Sequence, residues 1–190
     1  MKTSLLAIVI LALTITDSDA QLFVPGSGVA DIDGNFYPSV VMNNGQEWTA
    51  ENLKTSHFAN GDPIPINVND GQWINNAGVA ACWYLNDSAT YSNPYGKLYN
   101  WKVAEDVRNA CPVGWHVPTW SDFTDLISFL GGESVAGGKL KETGNSHWTS
   151  PSAGTNTSGF TALPGGWRNA SNAFFQNIND LGFYWSSTVV

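Results

Sequence analysis

The first twenty residues limit what the rest of the chain can fold into, because they read as an export signal that is cut away. Lys2 and the amino terminus give a short positive start, and Leu5 to Leu13 form an unbroken apolar run. Ser18-Asp19-Ala20 then sets small side chains at the −3 and −1 positions of a cleavage site before Gln21. The apolar run is far short of the roughly 20 residues that a helix needs to span a bilayer, so a retained anchor is the weaker alternative. No cysteine follows the run directly, which speaks against a lipid anchor, and no later stretch is apolar enough to cross a membrane. The expected product is therefore a secreted or cell-surface chain beginning at Gln21, one domain in size, folding in an oxidising compartment.

Charge narrows the partners. The whole chain carries −8 with only eight Lys and Arg. No basic patch is available to neutralise phosphates, so nucleic acid and anionic membranes are not expected partners. Charged residues make up only 13% of the chain, whereas Gly, Asn, Ser and Thr are abundant and there are nine tryptophans. A loop-rich fold with large rings in its core follows. The two cysteines, Cys82 and Cys111, form an even set, and a bridge closing about thirty residues would add roughly 3 kcal/mol. Two free thiols, or a thiol whose partner lies elsewhere, are the open alternatives. Two Cys and three scattered His give no metal-ligand spacing, and no cofactor is expected.

Along the chain, residues 21–30 read as a Gly/Ser/Pro linker and 31–190 as the domain. Phe36-Tyr37 and Val40-Val41-Met42 predict short strands between turn clusters at Asp33-Gly34-Asn35 and Asn43-Asn44-Gly45. Asp31-x-Asp33-Gly34-Asn35 begins like a calcium loop, but Met42 stands at the twelfth position, so a hairpin turn is the better reading. Residues 78–85 predict a buried strand, and Leu98 to Ala110 a moderately amphipathic helix. The clearest helix follows Thr119. Thr119 and Asp122 stand as a capping box, Phe123, Leu126, Ile127 and Leu130 share one face, and Gly131-Gly132 supplies the stop. Residues 131–158 read as a long irregular stretch. Residues 159–167 predict a strand running into a tight turn, and 182–190 the final strand.

Little in the pattern looks catalytic. There is no Gly-x-Ser-x-Gly elbow, no Gly-x-Gly-x-x-Gly and no His-Glu-x-x-His. His116, between Trp115 and Val117, predicts a packed structural residue, and His57 and His147 plain surface positions. No pair of carboxylates stands out as a glycosidase dyad. The tryptophans are the most unusual feature, since exposed rings can stack on sugar faces while core filling remains their default. Trp148 and Trp167, in polar stretches, are the expected binding-surface residues. Asn-x-Ser/Thr sequons stand at Asn86, Asn156 and Asn169.

The strings DIDGNFYPSVV, EWTAENLK, YGKLYNW, CPVGWHVPT with DFTDLISFLGG, GFTALPGGWRN and YWSST fall in one order across residues 31–188. In that order they resemble the Fibrobacter succinogenes major paralogous domain family. The resemblance implies an α+β, C-type-lectin-like fold, with two helices, small twisted antiparallel sheets and long irregular loops. It transfers no catalytic residue. The sugar-reading Glu-Pro-Asn and Trp-Asn-Asp motifs of calcium-dependent lectins do not occur. The reactive cysteine pair of the related formylglycine-generating enzymes has no match in Cys82 and Cys111. The family pattern also runs on to a further strand bearing Arg-Cys, which implies a domain lacking its last strand and a partner for Cys111 outside this sequence. Residues and resemblance together predict a non-enzymatic binding module for polysaccharide or a protein partner. A formylglycine-generating-type relative and a surface-layer component are the alternatives.

Overall fold

The computed structural model describes residues 21–74, 78–149 and 153–188. The expected signal peptide, residues 1–20, lies outside them. The described residues form a mixed α+β fold with five α-helices and several small antiparallel sheets.

The first sheet orders β1 (Phe23–Pro25), β4 (Ser39–Met42) and β5 (Glu47–Thr49) with β4 in the centre. Its register sets Phe23 opposite Met42 and Val40 opposite Trp48. Beside it β2 (Val29–Ala30) pairs with β3 (Phe36–Tyr37). Both β1 and β2 fall in the stretch expected to be a linker, so residues 21–30 are instead part of the folded body. Gly, Ser and Pro there mark turns between edge strands rather than a tether.

Two helices cover this sheet. After the short early helices α1 (Asp70–Ile74), α2 (Ser88–Tyr95) and α3 (Trp101–Ala104), α4 spans Trp120–Phe129. Its capping box is complete: Thr119 Oγ1 accepts from the Asp122 amide and Asp122 Oδ2 accepts from the Thr119 amide at 2.7 Å. Leu126 and Leu130 pack on Val40 and Met42 in one core cluster. Gly131 and Gly132 end the helix at φ 100° and 95°, where a side chain would be strained, and the Gly132 amide closes back on the Ile127 carbonyl at 2.8 Å. The chain then enters α5 (Glu133–Leu140), whose Ala136 joins the same core. The irregular stretch expected from 131 thus begins with a helix, which Gly137 and Gly138 had masked.

A second cluster gathers Phe58, Ile64, Ala81, Val103 and Ala110, and a third gathers Trp73, Ala80, Cys82 and Ala173. Between them runs the pair β6 (Ala81–Cys82) and β7 (Leu98–Tyr99). The helix expected over 98–110 is cut to α3. Leu98-Tyr99 is strand, and Asn100 caps α3 while its side chain also bonds the Ala80 amide at 3.1 Å and the Gly78 carbonyl at 2.8 Å. That tertiary bonding outweighs a weak helical period.

The last hairpin is β8 (Gly165–Arg168) with β9 (Phe175–Ile178). Beyond it, 182–188 is not the expected strand: its backbone meets β8 at the isolated Gly166–Gly182 bridge, and Phe183 adds a ring contact to Trp167. Other bonds hold it. Ser187 donates its amide to the Pro118 carbonyl at 2.8 Å, and Thr188 Oγ1 accepts the Trp120 amide at 3.0 Å.

Candidate functional site

Two regions concentrate chemistry. The first is a polar knot at the β2–β3 turn. Asp31 Oδ1 accepts the Asp33 and Asn35 amides at 3.0 and 2.9 Å, and its Oδ2 accepts Tyr37 Oη at 2.6 Å. Asp33 reaches across to the 55–57 segment, accepting from Thr55 Oγ1 at 3.1 Å and the Ser56 amide at 2.5 Å, and pairing with His57 Nδ1 at 2.5 Å. Burial alone would raise the Asp33 pKa. The hydrogen bonds from Ser56, His57 and Thr55 outweigh it and hold the carboxyl below its ordinary value. Lys97 lies close by, donating to the Lys54 carbonyl at 2.5 Å and to Ser56 Oγ at 2.8 Å. Burial lowers its pKa, with the Asp33 and Asp31 charges opposing.

A cavity of about 170 Å³ opens beside the knot, with Thr55, His57 and Cys111 in its wall and Ile32, Pro112 and Val113 as apolar lining. Thiol, imidazole and carboxylate are the ingredients of a nucleophile and its base. Asp31 accepts from turn amides, Asn35 Nδ2 and Tyr37 Oη, Asp33 accepts from Thr55 and Ser56 and pairs with His57, and burial pushes the Cys111 thiol up to about 12, so it stays protonated at neutral pH. The knot serves to clamp the 31–37 turn onto residues 54–57. In the turn that begins like a calcium loop, Asp31 accepts the Asp33 and Asn35 amides, a carboxylate closing its own turn.

Cys82 and Cys111 are both free, so the structure does not contain the bridge entertained for them. Cys82 is deeply buried beside Arg168, and burial pushes its thiol up to about 11. Among the described residues no three His, Cys, Asp or Glu side chains gather as a metal set. All three histidines face carboxylates: His57 with Asp33, His116 with Asp122 at 3.1 Å, and His147 with Glu142 at 2.8 Å. His116 is exposed rather than packed, because Asp122 at the start of α4 draws its ring outward.

The second region is an aromatic face built on the last hairpin and the 182–188 segment. Side chains alternate across β8 and β9. Arg168 and its cross-strand neighbour Phe175 turn inward, where the guanidinium lies 4.6 Å from the Trp73 ring and 5.0 Å from Phe175. Trp167 and its neighbour Gln176 therefore share the outward side. Trp167 meets Phe183 at 5.5 Å between ring centroids. Two residues on, Trp185 meets Trp101 at 5.4 Å, and its indole N–H is fixed to the Tyr99 carbonyl at 2.8 Å. Tyr184, between them, packs instead on Phe160. Trp185 keeps 49% of its surface and Phe183 54%.

The two tryptophans picked from sequence separate here. Trp167 belongs to this face, half-buried. Trp148 does not: it is only 7% exposed, with Lys141 Nζ 4.3 Å over its ring. An ammonium over the ring and burial of the indole are both set by tertiary packing, which a polar sequence neighbourhood does not reveal. Trp101, Gln176, Phe183 and Trp185 were not singled out in the sequence. The alternation of Phe183 and Trp185 was the available signal, but their partners at 101 and 167 are distant in the chain.

No helix among the described residues is long and apolar enough to cross a membrane. No curated protein and no solved structure matches the chain closely enough to lend it an activity or a fold. The sequence pattern of the Fibrobacter succinogenes major domain does match, over residues 41–189. That span takes in the aromatic face and the 54–57 side of the polar knot, whereas the Asp31–Tyr37 turn precedes it. The chain belongs to the Fibrobacter succinogenes major domain family.

Proposed function

We propose that the chain is a secreted or cell-surface, non-enzymatic binding module that takes a polysaccharide or a protein partner on its aromatic face. The observation that carries this reading is the pairing of exposed Trp185 with half-buried Trp101 and of exposed Phe183 with half-buried Trp167, which holds the outer rings in place. Large apolar surface held in place before binding loses little side-chain entropy on contact, which is what a recognition surface needs. The export half of the reading rests on Lys2, the Leu5–Leu13 run and the Ser18-Asp19-Ala20 site. A C-type-lectin-like arrangement is part of the same proposal. Family membership and the layout of small antiparallel sheets with long connections support it.

The test has two arms. N-terminal sequencing of protein recovered outside the producing cell is expected to begin at Gln21, and retention of residues 1–20 inside the cell would overturn export. The purified chain from Gln21 is then offered to immobilised polysaccharides and surface proteins. Saturable binding, weakened by Trp101→Ala and Trp185→Ala, is expected. Binding that ignores both substitutions removes the aromatic face from the reading.

A further inference from the structure

Removal of residues 1–20 makes Gln21 the first residue of the released chain, and the fold leaves almost no slack behind it. Gln21 is exposed. Among the described residues it is held through its backbone carbonyl, which accepts Asn43 Nδ2 at 3.1 Å. The next residue is already anchored, since the Leu22 carbonyl accepts the Asn43 amide at 3.0 Å. Leu22 and Phe23 both pack on the core of Val40, Met42, Leu126 and Leu130. Phe23 stands opposite Met42 in the sheet, and its ring lies so close over Gly159 that no Cβ fits there. β1 is an edge strand of three residues, so little else secures it. A single exposed residue thus separates the new amino terminus from the first core.

We infer that Gln21 is a modification site: once exposed as the amino terminus, it closes into a pyroglutamyl lactam that caps β1. The inference rests on the export reading above. The uncharged α-amine attacks Cδ of its own side-chain amide, forming the N–Cδ bond of a five-membered ring. The Cδ–Nε2 bond breaks, and ammonia leaves with the proton given up by the amine. No oxidant, reductant or further reactant enters. An α-amine has an ordinary pKa of about 8, so a fraction is uncharged and nucleophilic at neutral pH. The fold tolerates the product, because only the α-nitrogen and the side chain react. The carbonyl held by Asn43 and the pairing of β1 with β4 stay as they are. The consequence is protection. Chain ends are where trimming concentrates, and aminopeptidases grip a free α-ammonium, which the lactam lacks. An open Gln21 exposes Leu22 and Phe23 to removal next, and with them apolar surface that the first core needs.

The experiment takes protein recovered outside the producing cell and identifies its first peptide by fragment mass, because a lactam blocks stepwise chemical degradation. The expected peptide begins at residue 21 and is lighter than the open glutamine form by one ammonia. After incubation with a broad-specificity aminopeptidase, this protein keeps Leu22, Phe23 and its melting temperature. Gln21→Ala cannot cyclise, and Gln21→Glu, whose carboxylate is a poor acyl acceptor, stays largely open. Both are expected to melt like the parent before treatment. Afterwards they lose Leu22 and Phe23 and melt lower by about 5 °C or more. A first peptide that begins at residue 21 with an open glutamine in all chains overturns the lactam and leaves export standing. A secreted chain that begins at another residue does the same. Equal resistance of the open variants overturns the protective role of the cap. Residues 1–20 retained on protein inside the cell defeat the export reading, and the inference falls with it.

Discussion

The guanidinium of Arg168 lies 4.6 Å over the indole of Trp73, buried on all sides. It donates to the Val68 carbonyl at 3.3 Å, to the Ala173 carbonyl at 3.2 Å and to Asp70 Oδ1 at 2.6 Å. One cation thus joins α1, the 169–174 turn and the last hairpin. A buried charge is tolerated only where bonds satisfy it, and here the fork of guanidinium donors reaches three acceptors. Arg168→Met is expected to cost about 3 kcal/mol, because the buried Ala173 carbonyl and the half-buried Val68 carbonyl lose their donor. Asp70→Asn should cost no more than about 1 kcal/mol, since the Asp70 side chain is 71% exposed. Urea unfolding of both variants checks the contrast.

The start of α4 depends on two side chains. Thr119→Ala removes an acceptor for the Asp122 amide and is expected to cost about 1 kcal/mol, with a similar loss for Asp122→Ala. The double variant should cost less than the sum of the two, because either change breaks the same box. A double-mutant cycle by chemical denaturation measures the coupling.

Acid should loosen the fold through Asp33 and Asp122. For each, burial raises the pKa, but bonds from Ser56, His57 and Thr55 to Asp33, and from Thr119 and His116 to Asp122, leave it lowered. A depressed folded pKa contributes stability that is present above the ordinary value of 3.8 and lost as pH falls through the folded value. Unfolding midpoints should therefore fall with pH in the range below about 4. Asp33→Asn should flatten part of that slope while lowering stability at pH 7. An unchanged slope would remove Asp33 from this account.

The thiols should behave as inert, unpaired groups. With Cys111 pushed up to about 12 and Cys82 to about 11, native alkylation at pH 8 is expected to be slow at both. Denaturation should release two reactive thiols per chain. Reductant should leave the melting temperature unchanged. A single reactive thiol after denaturation, or a melting point lowered by reductant, would contradict the free pair.

Sequence made α4 legible because three independent signals coincide there: a capping box, apolar residues on one face and a glycine stop. Where a segment's state is set by distant partners, the local pattern misleads. Phe23 becomes strand by pairing with Met42, despite its Gly/Pro-rich surroundings. Leu98-Tyr99 becomes strand against Ala81-Cys82, despite a helical period. The aromatic face follows the same rule. Trp167 was visible as a candidate, but its neighbours Phe183 and Gln176 are set beside it by hairpin register and by the path of the 182–188 segment. Trp148 is the complementary case: it is buried with Lys141 Nζ over its ring, a contact invisible in a one-dimensional pattern.

The hairpin of Trp167 and Arg168 also constrains how this molecule can change over time. Adjacent residues face opposite sides, so a one-residue slip in pairing would thrust the guanidinium into water and turn Trp167 inward. Arg168, held by Trp73 and Asp70, acts as a registration pin for the outer surface. Variation that diversifies the outward positions 167 and 176 can proceed freely only while the pin is kept. Insertions or deletions inside either strand would scramble core and surface together.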